Sequence, residues 1–191
     1  MTELLIDKKE YLTAGIHIGM KSKNKDMERF IYKIREDGLA VLNLKIVNDR
    51  IKTAADFLSR AKTILVVGRK SNVHEPIRKF AEAVENVKIV VGRFMPGTLT
   101  NPNYDDFVEP DVVVLSDPQA DYQALKEAVE SRIPVVAMCD TFNETKNIDY
   151  VIPCNNKGKK SLALIFWILA KQINEAKGKD FKLKPEDFGS E

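Results

Sequence analysis

A chain of 191 residues has the length for one α/β domain with a good core and not for a second full one. An apolar fraction of 44% with 30% charged residues describes a globular protein rather than a disordered one. The formal net charge of +2 hides blocks: Lys and Arg outnumber Asp and Glu nine to five over residues 20–52, eight to three over 60–93 and eight to two over 157–184, whereas 104–150 carries eleven acids against three bases.

In a folded domain such blocks give a basic and an acidic face, and basic faces attract polyanions, although charge runs also serve as plain solvated surface. The start, MTELLIDKKEY, lacks a basic segment followed by an apolar core, so no secretory signal is expected. Residues 1–37 read as a helix and basic arm packed on the domain. Within the arm, GMKSKNKDMERFIYKIREDG interleaves Lys21, Lys23, Lys25, Arg29, Lys33 and Arg35 with Phe30 and Tyr32. Cations bind phosphates, and tyrosine stacks on splayed bases. The bland alternative docks Phe30, Ile31 and Ile34 on the core and leaves the charges in water.

From residue 38 short apolar runs alternate with helical patterns. LAVLNL (39–44), TILVVG (63–68), VKIVV (87–91), DVVVLS (111–116), PVVAMC (134–139) and DYVIP (149–153) read as strands. Nearly continuous Val and Ile is what parallel strands buried on both faces require. Helical periodicity fills 46–61, 73–85, 119–132 and 157–178, the last ending at Gly178. The nine-residue run LALIFWILA (162–170) falls well short of the roughly 20 residues of a membrane span and reads as a buried helix. Strand and helix in regular order predict an α/β three-layer sandwich over residues 38–178 with right-handed crossovers. Residues 179–191 read as a polar, frayed tail. Cys139 and Cys154 stand apart without a metal-binding spacing, which suggests a reducing compartment and no zinc site.

Ligands of such sheets gather beyond the carboxyl ends of the strands. After the second strand, GRKSNVHEP has Arg69 and Lys70 beside a helix start, a place for a phosphate, but no G-x-G-x-x-G. GKKS at Gly158 resembles the end of a nucleotide loop, yet Pro153 stands where its first glycine belongs and Lys160 where Ser or Thr does. Asp117 and Asp140 end strands where a phosphatase or receiver domain holds magnesium, and this is the enzyme alternative. No lysine is evident at a strand end to hold a phosphoryl group, and helix and turn capping accounts for both acids. His17 and His74, the two histidines, have no evident nucleophile beside them.

Five collinear blocks carry a resemblance: YLTAGIHIGMKSKNKDMERFIYKIREDGLAVLNL, GRFMPGTLTNP, EPDVVVLSDPQADYQALKEA, IPVVAMCDTFN and YVIPCNNKGKKSLALIFWILA. Together they resemble the small-ribosomal-subunit protein two family, whose eukaryotic member is also called the laminin receptor precursor, over nearly the whole chain. Residues 101–110 leave no room for the bacterial coiled-coil insertion, and no long acidic tail follows, so the likeness is to the archaeal form. Tyr122 departs from it where relatives suggest histidine. The resemblance implies a flavodoxin-like, mainly parallel sheet of five or so strands. It also implies a structural role in translation in the cytoplasm: binding small-subunit ribosomal RNA and neighbouring ribosomal proteins, with no cofactor, catalytic residue, membrane or small-molecule substrate. On this reading the RNA contacts fall to Lys21, Lys23, Asn24, Lys25, Arg29, Tyr32 and Arg35 of the arm and to Arg69 and Lys70. Arg93, Thr98, Thr100 and Asn101 in the loop after the third parallel strand, and Lys157, Lys159 and Lys160, complete the set. In that loop Pro96 and Gly97 are expected to form the centre of a type II turn, with Phe94 and Leu99 plugging the sheet end as the structural alternative.

Overall fold

A computed structural model describes residues 4–189; residues 1–3 of the expected arm and 190–191 of the expected tail lie outside the described residues. The elements are α1 (Lys8–Thr13), a 3₁₀ turn (Lys25–Phe30), β1 (Ile31–Ile34), β2 (Ala40–Leu42), α2 (Leu44–Ser59), β3 (Ile64–Gly68), α3 (Ser71–Ala83), β4 (Val87–Val91) and β5 (Val112–Leu115). Then come α4 (Tyr122–Glu130), β6 (Val135–Cys139), β7 (Tyr150–Pro153), α5 (Lys159–Ala176) and a second 3₁₀ turn (Pro185–Phe188). Five strands pair in parallel in the order β4-β3-β5-β6-β7. Every residue of β3, β5 and β6 is buried, which is why these strands are apolar without alternation. From β3 the chain moves outward to β4, and from β5 it moves the opposite way to β6. Right-handed crossovers therefore put α3 and α4 on opposite faces. Helix α5 packs on both α2 and α3 to complete one layer. The result is the α/β three-layer sandwich expected from the sequence.

One strand is misplaced by the sequence reading. Residues 39–44 are not part of the parallel sheet; β2 pairs antiparallel with β1 in a separate two-stranded sheet. Its burial alternates, with Ala40 and Leu42 inside and Val41 half-buried, the mark of a strand covered on one face. Its apolar run also ends early, because the Asn43 side chain accepts a hydrogen bond from the Lys45 amide and starts α2 there.

Twelve of the eighteen residues of α5 are buried, so the nine-residue apolar run is the spine of the core. Phe166 meets Phe80 of α3 edge to face at 5.5 Å between ring centres. Among the described residues no helix is long and apolar enough to cross a membrane. The tail is docked rather than frayed. Trp167 Nε1 donates to the Leu183 carbonyl at 2.8 Å, Phe181 packs edge-on against the same indole, and Phe188 is fully buried. Two aromatic residues in a polar segment supply the apolar area that holds it.

Candidate nucleic-acid interface

The carboxyl ends of β3 and β5 flank the point where the connections reverse direction, the ordinary ligand crevice of this fold. Here it is filled by the chain's own side chains. Asp117, 2% exposed, pairs with the Lys70 ammonium, and its other oxygen accepts from the Gln119 amide at 3.0 Å and from Asn143 Nδ2 at 3.1 Å. Asn143 Oδ1 in turn accepts from the Asp140 amide at 2.8 Å and from Asn156 Nδ2 at 3.0 Å. A lysine thus does stand at a strand end, contrary to the reading of the sequence, but it occupies the carboxylate itself. Asp140 accepts from the Thr141 amide at 2.6 Å, and burial raises its pKa. Both acids are turn-formers in a closed polar network, as the capping alternative had it. Beside them Asp121 accepts from the Arg69 amide, the Asp117 amide and Ser116 Oγ at 2.9–3.2 Å. Burial nevertheless pushes its carboxyl up to about 6. Among the described residues no group of three or more His, Cys, Asp or Glu stands close enough to hold a metal ion.

The basic arm straps over this filled crevice. Three residues of the arm bond to Thr141, the residue after Asp140. The Met20 amide donates to its hydroxyl at 2.9 Å, the hydroxyl donates to the Ser22 carbonyl at 3.2 Å, and the Asn24 amide donates to its carbonyl at 2.8 Å. Gly19 is required by this approach, since a Cβ there would collide with the Thr141 side chain. Asp26 takes the Thr145 hydroxyl at 3.1 Å, and the Asn155 amide, just past β7, donates to the Ile16 carbonyl at 3.0 Å. Asn24 spends its side-chain oxygen on the Asp26 amide, starting the 3₁₀ turn that follows. Buried Met27 and Phe30 anchor that turn; the guanidinium of Arg29 stacks over Phe30 at 4.8 Å, and that of Arg50 over both Phe30 at 5.2 Å and Tyr150 at 4.6 Å. The docking face and the charged face are therefore one device. Ile34 is the exception: it is 54% exposed and docks on nothing.

With its apolar side down, the strap leaves Lys21, Lys23, Lys25 and Arg29 exposed along the rim. The other cations converge on it. Lys157 reaches back to the arm, its ammonium 3.3 Å from Met20 Sδ and 4.4 Å from the centre of the Phe142 ring. Asn72 Nδ2 at the start of α3 donates to the Lys157 carbonyl at 2.7 Å, drawing together the first turns of α3 and α5 with exposed Arg69, Lys159 and Lys160. Neither helix has a side-chain N-cap. Two of these cations are partly spent, Lys70 on Asp117 and Lys159 on Glu75 at 3.5 Å. Burial lowers the pKa of His17, with Arg35 a secondary cause, and His74 bonds the Arg69 carbonyl at 3.2 Å.

The loop 93–101 divides in two. Arg93 is exposed at the rim. Beyond it the loop descends along α4, away from the rim. The Thr98 amide donates to the Met95 carbonyl at 3.3 Å across Pro96 and Gly97, and Gly97 has φ +98°, the type II geometry expected. Thr98 is buried and donates back to the Met95 carbonyl at 2.7 Å, Phe94 and Leu99 are buried, and Asn101 caps the Asn103 amide at 3.1 Å. The organiser is Glu127, a residue sequence reasoning missed. Buried at 3% exposure, its carboxylate accepts from the amides of Gly97 at 2.9 Å and Leu99 at 3.1 Å, from Gln123 at 2.8 Å and from Thr100 Oγ at 3.4 Å. The one signal available in the sequence is a glutamate on the face of α4 that also carries the buried residues Ala124 and Ala128.

Comparison with known proteins bears on this arrangement. The family described as Ribosomal protein S2 matches residues 11–105 and 103–176. The small ribosomal subunit protein uS2 of the archaeon Haloquadratum walsbyi is 46% identical over 191 residues, covering 99% of this chain and 68% of that protein. On these matches the chain belongs to the ribosomal protein S2 family, structural constituents of the small ribosomal subunit.

Proposed function

We propose that this chain acts without catalysis, in the cytoplasm, by binding small-subunit ribosomal RNA through the basic rim and neighbouring ribosomal proteins through the rest of its exposed surface. One observation carries the RNA reading: the ligand crevice of the sheet is closed by Lys70, Asp117, Asn143 and Thr141, and the strap that closes it turns Lys21, Lys23 and Lys25 outward beside Lys157 and Lys160. A backbone held by main-chain hydrogen bonds and lined with exposed cations suits phosphate binding, which positions without reading bases. Arg93 extends the same rim. Thr98, Thr100 and Asn101 serve to build their own loop.

Binding of purified chain to small-subunit RNA across a salt series tests this. Replacing Lys21, Lys23 and Lys25 with Gln is expected to flatten the slope of log affinity against log salt by roughly 0.7 to 0.9 for each phosphate no longer neutralised. An unchanged slope refutes the assignment. A wild-type chain absent from the small-subunit fraction of a cell-extract gradient refutes the role itself.

A further inference from the structure

The two-stranded sheet has a free side. β2 is held on both edges, by β1 on one and by the bridge from Ile18 to Val41 on the other. β1 is paired only with β2 among the described residues, so its outer edge is open. The Arg35 amide points inward to the Leu39 carbonyl at 2.8 Å, and Lys33 pairs with Val41. Main-chain groups alternate in direction along a strand, which turns the N–H and C=O of Ile34 outward, and the irregularity between Ile31 and Lys33 leaves Tyr32 unpaired as well. The side chains of these two residues are both bare, at 69% and 54% exposure, two of the more exposed large apolar groups among the described residues. Lys33 and Arg35, on the face opposite Ile34, are exposed too.

An open edge flanked by bare apolar side chains is a template for another strand unless charge, proline or a cover blocks it. Here none does. We infer that β1 is a docking edge for an extended segment of a neighbouring small-subunit protein, added as a third strand beside it. This rests on the protein-neighbour part of the function proposed above. The chemistry of the partner follows from the side chains along the edge: apolar residues over Tyr32 and Ile34, alternating with Asp or Glu over Lys33 and Arg35. RNA fits less well, because the edge offers carbonyls as well as amides and a phosphate accepts from amides alone. The hairpin end beside Lys21, where a Cβ on Gly38 would stand 3.9 Å from that side chain, makes this edge continuous with the basic rim.

The experiment is site-specific photo-crosslinking in the assembled subunit. The full chain carries Tyr32→p-benzoylphenylalanine, is expressed in its host, and is recovered with small subunits from a gradient before irradiation. The expected product is a crosslink to one ribosomal protein within a segment that alternates apolar and acidic residues. Adding Ile34→Pro, which removes the outward amide, lowers the yield several-fold, as does the side-chain variant Ile34→Thr should the proline variant melt early. Crosslinks to RNA, to a second copy of the chain or to nothing overturn the docking edge while the chain still sediments with subunits. A crosslinked protein whose segment lacks that alternation, or a yield untouched by both variants, overturns it equally. A chain that never reaches the subunit fraction overturns the function proposed above, and this inference with it.

Discussion

Glu127→Ala is the most direct test of how the loop 93–101 is held. The carboxylate is the acceptor for two main-chain amides, those of Gly97 and Leu99, and Leu99 is buried. A buried amide stripped of its acceptor costs about 1–3 kcal/mol, and bonds to a charged acceptor lie at the upper part of that range. The Leu99 amide bears this in full, whereas the half-buried Gly97 amide recovers part of it from water. The sum is about 3 kcal/mol. For a chain of this size roughly 2–4 °C is lost per kcal/mol, so Tm is expected to fall by about 6–12 °C. Glu127→Gln keeps one acceptor oxygen and should fall between Ala and the parent. Thermal melting by circular dichroism, with limited proteolysis to show that cleavage begins in the loop, reads both effects. A Glu127→Ala protein melting within about 1 °C of the parent refutes the role given to this carboxylate.

Gly97→Val forces a β-branched residue to φ +98° with its Cβ 3.3 Å from Asn101 Cβ, and is expected to cost at least about 1 kcal/mol on denaturant unfolding. Arg93→Ala should melt like the parent yet enter small subunits less well on gradients; early melting would show Arg93 to be a structural partner. Asp117→Asn keeps the oxygen that serves Gln119 and Asn143 but sets an amide against Lys70, so a loss of about 1–2 kcal/mol is expected, with subunit incorporation retained; a stably folded but wholly inactive protein would revive the magnesium reading. The Asp121 carboxyl has its pKa raised from 3.8 to about 6 in the folded state. Its stabilising contribution is therefore complete below about pH 4 and lost as pH rises through 6, by up to about 3 kcal/mol. The stability gap between the parent and Asp121→Asn, followed by urea melts from about pH 4 to 7, should shift by that amount against the variant at low pH, and a gap independent of pH contradicts the assignment.

What the sequence showed and what it hid separate along physical lines. Uninterrupted Val and Ile in β3, β5 and β6 is a local signal with one cause, burial on both faces, and it led directly to the parallel sheet. The order of the strands is non-local and was not legible. β2 went astray because a three-residue strand offers too little alternation to distinguish one covered face from two. The Pro96–Gly97 turn was legible because positive φ is written in the residue itself. That Thr98 is buried was not legible, because a hydroxyl in a loop looks the same in the sequence whether it faces water or the Met95 carbonyl. Lys70 misled for a similar reason, since nothing within the chain near it announces an acid 47 residues further on. Glu127 was hidden because a buried carboxylate is recognised by the amides that approach it, and those come from another segment.

The bonds between the arm and Thr141 bridge 119 and 121 residues of chain. A closure of that length is slow compared with the pairing of β3 with β4, whose partners lie 23 residues apart. The arm emerges first during synthesis, yet its anchor is among the later residues to be made. Lys21, Lys23 and Lys25 are therefore expected to take up the spacing seen here only once Thr141, just past β6, is in place. Pulse-labelled hydrogen exchange during refolding would register that order as protection of the Met20 and Asn24 amides after those of β3, and simultaneous protection would contradict it. The cationic edge of this protein is thus fixed after the strands that carry its anchor, so a chain that stops short of Thr141 holds these lysines at no defined spacing.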